Sequence, residues 1–176
     1  PREVPGALDR LAQHAAATFR LDITENPALG TDPEPLVFSP ADFGAGGMTP
    51  LKRPDFYPIV SSHSLASMLH KKANGSVEGF IVEGPTAGGH NAPPRAKNVL
   101  DEQGQPVYGE RDAADLEKIA ELGLPFWLAG GYGSPGGLKA ACEQGAAGVQ
   151  VGTLFAYARE SGITAGMKRA VLEMIK

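Results

Sequence analysis

Cysteine is almost absent from this chain, which has 176 residues and a single cysteine, Cys142. One cysteine cannot form an internal disulfide bond, and this scarcity is typical of a reducing compartment, so we expect a cytoplasmic protein. No apolar stretch approaches the roughly 20 residues that a membrane-spanning helix needs. The start, Pro1-Arg2-Glu3, does not resemble a signal peptide, so neither membrane insertion nor secretion is expected.

Clustered positive charge is also missing. The net charge is −4, and no run of basic residues is longer than Lys71-Lys72, so we expect no nucleic-acid partner. Histidines, cysteines and carboxylates do not occur at metal-ligand spacing, so no metal is expected. Hydrophobic residues make up 42% of the chain and charged residues 20%, which is typical of a soluble globular protein and argues against a disordered or fibrous one.

Strand-like and helix-like segments alternate through most of the sequence. Periodicity predicts a helix over residues 5–17, a strand over 19–23 and an irregular segment over 34–54. The following segments are predicted as strands: 57–61, 77–83, 126–129 and 149–151. Helices are predicted over 64–73, over 113–122 with Asp112 as N-cap, from Pro135 to about Gly145 with Ser134 as N-cap, and through Met167, Val171 and Ile175.

This alternation predicts an α/β fold with a parallel sheet of about five strands. A closed βα barrel of the TIM type needs eight strands, so either the sheet is open or three strands are absent. The length fits one domain over residues 1–176, and the lack of an initiator Met indicates a fragment of a longer product. Open strand edges also permit self-association, which the sequence leaves undecided.

A candidate chemical site follows the strand that ends at Glu83. The glycines Gly88 and Gly89 lead into His90, whose imidazole titrates near neutral pH and suits proton abstraction from an acidic carbon. Glu83 can orient a histidine, bond a cofactor hydroxyl or cap its own loop. A solvated or structural role for His90 is the competing interpretation, and Trp127 is expected to pack in the core.

A candidate phosphate site follows the next two strands. Gly130 and Gly131 come after the first of them, and Gly152 and Thr153 come after the second. Backbone N–H groups at two neighbouring loop tips can converge on one phosphate, and glycine allows the close approach. The competing interpretation is that these glycines serve only tight turns.

Beyond spacing, three runs of sequence resemble the nitronate monooxygenases, formerly called 2-nitropropane dioxygenases. The runs are residues 82–90, residues 128–131 and residues 145–155, followed by Glu160-Ser161. The resemblance implies a TIM barrel that holds FMN, of which this chain supplies the fourth to eighth strands and lacks the N-terminal ones. It implies His90 as the catalytic base, with the FMN phosphate on Gly130, Gly131, Gly152 and Thr153, and Gln150, Gly88 and Gly89 nearby.

The same resemblance sets the expected function. It implies FMN-dependent oxidation of alkyl nitronates or nitroalkanes by dioxygen, with a small carbon acid as substrate. The alternatives are an FMN-dependent enoyl-thioester reductase, as in related enoyl-acyl-carrier-protein reductases, and a truncated fragment that binds phosphate or flavin without catalysis. The chain departs from the family at Pro85-Thr86 and in a long loop over residues 91–111, where Arg95, Tyr108 and Arg111 can face either an anionic substrate or solvent.

Overall fold

The computed structural model describes residues 2–19, 35–88, 92–95 and 99–175. The chain divides into two compact units, Pro1–Pro58 with Ser67–Glu78 and Ile59–Ala66 with Gly79–Lys176. Within the described ranges, no helix combines the length and the apolar character needed to cross a bilayer.

The first unit begins with helix α1, Val4–Ala12, and a short strand β1, Ala17–Phe19. The predicted helix over 5–17 is therefore too long: His14 has a φ of 56°, which ends the helix before Ala17 enters the strand. The predicted strand over 19–23 starts earlier, at Ala17, and its residues 20–23 lie outside the described residues.

Strand β2, Leu36–Phe38, pairs antiparallel with β1, and a 3₁₀ turn follows at Pro40–Phe43. The prediction of no regular structure over 34–54 is therefore wrong in part, because a run of β-prone residues finds a partner strand despite the surrounding prolines. Farther along this unit, Arg53 forms ion pairs with Asp9 and Glu78.

The second unit contains a parallel sheet with the strand order β3-β4-β5-β6. Its strands are β3 Ile59–Val60, β4 Phe80–Glu83, β5 Phe126–Ala129 and β6 Gly148–Gln150. The predicted α/β class and the parallel pairing are confirmed. The expectation of five strands in this sheet is wrong for the described residues, since β1 belongs to the separate antiparallel pair.

Helices alternate with these strands, as predicted for all of them except the short helix at Thr153–Ala156. They are α2 His63–Lys72, α3 Leu116–Ala120, α4 Pro135–Glu143, α5 Thr153–Ala156 and α6 Ala165–Met174. Ser134 caps α4 by accepting a hydrogen bond from Gly137 N at 3.0 Å, as predicted. The predicted cap Asp112 is wrong: Asp115 caps α3, while Asp112 ends a preceding 3₁₀ turn.

Side chains alternate between the two faces of the sheet. Phe80 and Val82 of β4 are buried, as are Phe126 and Leu128 of β5. The opposite face is more open: Ile59 is 52% exposed, and Ile81, Glu83 and Trp127 are half-buried. Trp127 was expected in the core, but it lies on this open face, where its Cδ1 is 3.0 Å from the position of a Cβ on Gly148.

Candidate functional site

A large open cleft lies where β4, β5 and β6 end, with a volume of about 1010 Å³. This is the edge at which parallel α/β sheets bind ligands, because the loops that follow neighbouring strands meet there. Every described residue that the sequence predicted for cofactor binding lines the cleft: Glu83, Gly88, Gly130, Gly131, Gln150, Gly152 and Thr153. Gly89 and His90 lie outside the described residues.

The turn after β5 requires glycine for two separate reasons. Gly130 has a φ of +102° and Gly131 a φ of +76°, which L side chains rarely adopt. In addition, a Cβ on Gly130 would lie 2.8 Å from Ala87 N. The loop after β4 is therefore packed against this turn, and Gly84 N donates to Ala129 O at 3.1 Å.

The loop after β6 completes the cleft. A Cβ on Gly88 would lie 3.3 Å from Thr153 Oγ1, so the loops after β4 and β6 also approach one another. Gly152 differs from Gly130, since its φ is −112° and a Cβ there would meet no atom within 4 Å. The peptide of Gly152 thus borders free space in the cleft, into which a ligand can approach closely.

These observations provide a test of whether an anionic cofactor group fits. Gly130, Gly131 and Gly152 expose backbone at the tips of adjacent loops, and the Thr153 hydroxyl lies beside them. Backbone N–H groups and hydroxyls are the donors that bind phosphate at such loop tips. The residues present therefore fit a phosphate-bearing cofactor.

Glu83 gives the cleft its charge. Among the described lining residues it is the one with a carboxylate side chain, and neither lysine nor arginine is found there. The described residues therefore offer only uncharged hydrogen-bond donors to a phosphate in this cleft.

Several lining residues were not predicted from the sequence, including Thr86, Tyr132 and Tyr157. Thr86 and Tyr132 each lie within a few residues of a strand end, and this position in the sequence could have indicated that they line the cleft. Tyr157 follows α5, and nothing in the local sequence indicates that the chain returns to the cleft there.

The long loop after β4 is fixed by hydrogen bonds around Asp112. The buried carboxylate of Asp112 accepts from Arg95 N and Gly109 N, each at 2.7 Å. The Arg95 guanidinium donates to Ser61 O and Arg111 O, and the Tyr108 hydroxyl donates to Ala92 O. These contacts assign Arg95 and Tyr108 to loop anchoring.

Asp112 should make the stability of the chain depend on pH. The hydrogen bond from Arg95 N, and then that from Gly109 N, holds the pKa of Asp112 below its ordinary value. Its contribution is therefore present above the pKa of the unfolded state, about 3.9, and is lost as the pH falls through the lower folded value. We expect Asp112→Asn to unfold at a lower temperature than the native chain at pH 6.

That difference in melting temperature should shrink as the pH falls below about 3.9 and through the lower folded pKa of Asp112, because the contribution of the carboxylate is lost over that range. Asp42→Asn, which alters an exposed carboxylate elsewhere, is the control. A constant difference across the whole pH range would contradict the role assigned to Asp112.

The sequence is similar to one protein family and to curated proteins of known name. The nitronate monooxygenase family profile matches residues 43–175, which include all three runs noted in the sequence. A curated relative from Mycobacterium tuberculosis (strain ATCC 25618 / H37Rv) is named (3aS,4S,5R,7aS)-5-hydroxy-7a-methyl-1-oxo-octahydro-1H-indene-4-carboxyl-CoA dehydrogenase. It is 30% identical over 115 residues, which are 65% of this chain and 29% of the relative.

A protein of the same name from Rhodococcus jostii (strain RHA1) is 31% identical over 114 residues, which are 65% of this chain and 28% of the relative. The chain therefore spans less than a third of the length of these two curated relatives. The family match is longer and covers most of the sequence. The chain belongs to the nitronate monooxygenase family.

Proposed function

We propose that this chain is part of an FMN-dependent oxidoreductase that oxidises alkyl nitronates with dioxygen. The observation that carries the proposal is the cleft, where glycines after β5 and β6 expose backbone to a space large enough for a cofactor and a small substrate. Family membership supports the choice of FMN and of a nitronate.

In this proposal the residues of the cleft have distinct tasks. The N–H groups of Gly130, Gly131, Gly152 and Thr153 hold the phosphate. Gln150 and the Gly88-Gly89 peptide contact the rest of the cofactor, while Glu83 supplies a carboxylate beside it. Bound FMN supplies two-electron oxidation with dioxygen as the acceptor. His90 removes a proton from a neutral nitroalkane or donates a hydrogen bond to the nitro group.

The same proposal extends to the architecture. We propose that the four parallel strands form part of a TIM barrel and that residues 1–176 belong to one barrel domain. Association with a second copy through the open strand edges remains a prediction.

A second candidate is oxidation or reduction of an acyl-CoA thioester. The observation that favours it is the similarity to the two curated relatives, both of which are named as dehydrogenases of a carboxyl-CoA compound. An enoyl-thioester reductase of this type would draw electrons from a nicotinamide donor, whereas a nitronate oxidase needs none.

The test uses the purified chain loaded with FMN under anaerobic conditions. A nitronate that bleaches the flavin absorbance, followed by its return on admission of air, would support nitronate oxidation. Bleaching by a nicotinamide donor, with recovery on addition of an enoyl-CoA, would instead support the second candidate. A colourless chain after FMN is added and excess is removed would indicate the third possibility, a non-catalytic fragment.

Gly152→Ala should weaken FMN binding while leaving the fold intact. The new methyl group meets no protein atom within 4 Å, and a φ of −112° suits alanine, so the melting temperature should stay the same. The methyl group would occupy the space that a phosphate needs, and we expect affinity for FMN to fall roughly tenfold or more, which corresponds to about 1.4 kcal/mol.

Fluorescence titration of FMN measures this effect. Gly162→Ala is the matched control, because a Cβ at Gly162 also meets no atom within 4 Å and the residue does not line the cleft. Equal FMN affinity in Gly152→Ala and the native chain would argue against a phosphate at this loop.

A further inference from the structure

Glu83 lies at the meeting point of two cavities. It lines the large cleft and also a smaller cavity of about 20 Å³ beneath the long loop. The other polar residues of the smaller cavity are Ser61, Arg95, Tyr108 and Asp112. Glu83 is the polar side chain that the two cavities share.

The strand itself directs Glu83 to this position. Phe80 and Val82 of β4 are buried, so Ile81 and Glu83 alternate to the opposite, more open face. Glu83 is also the last residue of the strand, where the loops begin. Its carboxylate makes no ion pair or hydrogen bond with the described residues, so both oxygens can accept hydrogen bonds from other groups.

The smaller cavity has the size and polarity to bind one water molecule. A volume of roughly 10–15 Å³ suffices for a water that finds two to four polar partners. The Tyr108 hydroxyl already donates to Ala92 O, so it can still accept a hydrogen bond, and Ser61 adds a second hydroxyl. The hydrogen bonds from Arg95 N to the Asp112 carboxylate and from the Arg95 guanidinium to Ser61 O hold the residues that line this cavity in place.

We infer that Glu83 is a proton-relay residue, which accepts the proton released when a carbon acid is deprotonated in the cleft and passes it to water in the smaller cavity. The inference rests on the proposed function, because that function supplies the proton. The substrate C–H bond breaks, its electron pair stays on the substrate, and the proton goes first to His90, the base of the proposed function. His90 then passes the proton to a Glu83 oxygen, and Glu83 passes it to a water oxygen, which restores the imidazole and the carboxylate.

The charges around Glu83 are compatible with such a relay. From the long loop, the Arg95 cation and the Asp112 anion face the smaller cavity together with the Tyr108 phenol. From the cleft, Tyr132 and Tyr157 contribute neutral phenols. The two charges facing the smaller cavity are opposite in sign, so Glu83 can exchange a proton without leaving a large net charge in its surroundings.

The first test needs no cofactor. The chain is labelled with ¹³C at the glutamate carboxyl carbons, and the resonance that disappears in Glu83→Gln is assigned to Glu83. Tyr108→Phe and Ser61→Ala each remove a hydroxyl from the smaller cavity. Each should change the chemical shift of the Glu83 resonance at neutral pH, because a water molecule that is hydrogen-bonded to the carboxylate is lost.

Tyr57→Phe, which removes a hydroxyl in the other compact unit, should leave that chemical shift unchanged. Two cavity variants are used because loss of the hydrogen bond from Tyr108 to Ala92 O could by itself loosen the loop. If neither Tyr108→Phe nor Ser61→Ala changes the chemical shift of the Glu83 resonance, Glu83 is not coupled to the smaller cavity and the inference is overturned.

The second test measures turnover of a neutral nitroalkane by the FMN-loaded chain. Glu83→Gln should retain FMN but slow kcat by about tenfold or more and flatten its pH profile. High concentrations of a small buffer such as imidazole should restore most of the lost rate, because a diffusible buffer can carry the proton. The matched control is Glu102→Gln, at an exposed residue outside both cavities.

The outcomes separate the relay from the proposed function. Native turnover that is unchanged in Glu83→Gln, with no effect of buffer, overturns the relay and leaves the proposed function standing. A native chain that retains no FMN, or retains it and turns over no nitroalkane, contradicts the proposed function and the relay with it. A slow variant that buffer does not rescue indicates a structural role for Glu83 and also overturns the relay.

Discussion

Gly130→Ala is expected to destabilise the chain and abolish FMN retention. Alanine at a φ of +102° is strained, and its Cβ would lie 2.8 Å from Ala87 N. Backbone strain of this kind costs on the order of 1–3 kcal/mol before the steric clash is included. Relief of that clash requires the turn after β5 to move away from the loop after β4, which would separate the two sides of the cleft.

Thermal unfolding and FMN titration together measure this result. A loss of about 2 kcal/mol should lower the melting temperature of a chain of this length by several degrees. Gly162→Ala, at an unstrained position with free space, should match the native chain in both measurements. Native-like stability and FMN affinity in Gly130→Ala would show that the described turn geometry is wrong.

His90→Asn is expected to slow the oxidation of a neutral nitroalkane by about 10²–10⁴-fold, the range that a general base contributes. The prediction rests on sequence, because His90 lies outside the described residues. Gly88 lines the cleft, and His90 comes two residues after it in the sequence. FMN retention should be unchanged, because the proposed phosphate site lies on the loops after β5 and β6.

The substrate itself provides the sharpest control for this prediction. A preformed nitronate has already lost its proton, so His90→Asn should slow its oxidation much less than that of the parent nitroalkane. His70→Asn, at an exposed position on α2, should affect neither substrate. Equal slowing of nitroalkane and nitronate would contradict the role of His90 as base.

The parallel sheet and its loops were predictable because their signals are local. Apolar runs ending at glycines marked β4 and β5, and Ser134-Pro135 marked the start of α4. The grouping of the predicted cofactor residues also followed, because neighbouring parallel strands end at the same edge of a sheet.

Other features depend on contacts distant in sequence and were missed. Strand β2 forms because Leu36–Phe38 finds β1, and no local pattern in a proline-rich segment indicates that partner. Asp112 resembled a helix cap in sequence, but the folded chain uses its carboxylate to hold Arg95 N, which lies 17 residues away. The small cavity beside Glu83 arises from the same long-range contact, so sequence could not reveal it.

The most direct test of the central claim compares FMN with riboflavin, which lacks the phosphate, by fluorescence titration of the native chain. We predict that FMN binds at least roughly 100-fold more tightly than riboflavin, corresponding to about 2.7 kcal/mol from the phosphate. We also predict that Gly152→Ala reduces this preference sharply while riboflavin affinity changes little. Equal affinity for FMN and riboflavin, or no binding of either, would contradict a phosphate site at Gly130, Gly131, Gly152 and Thr153.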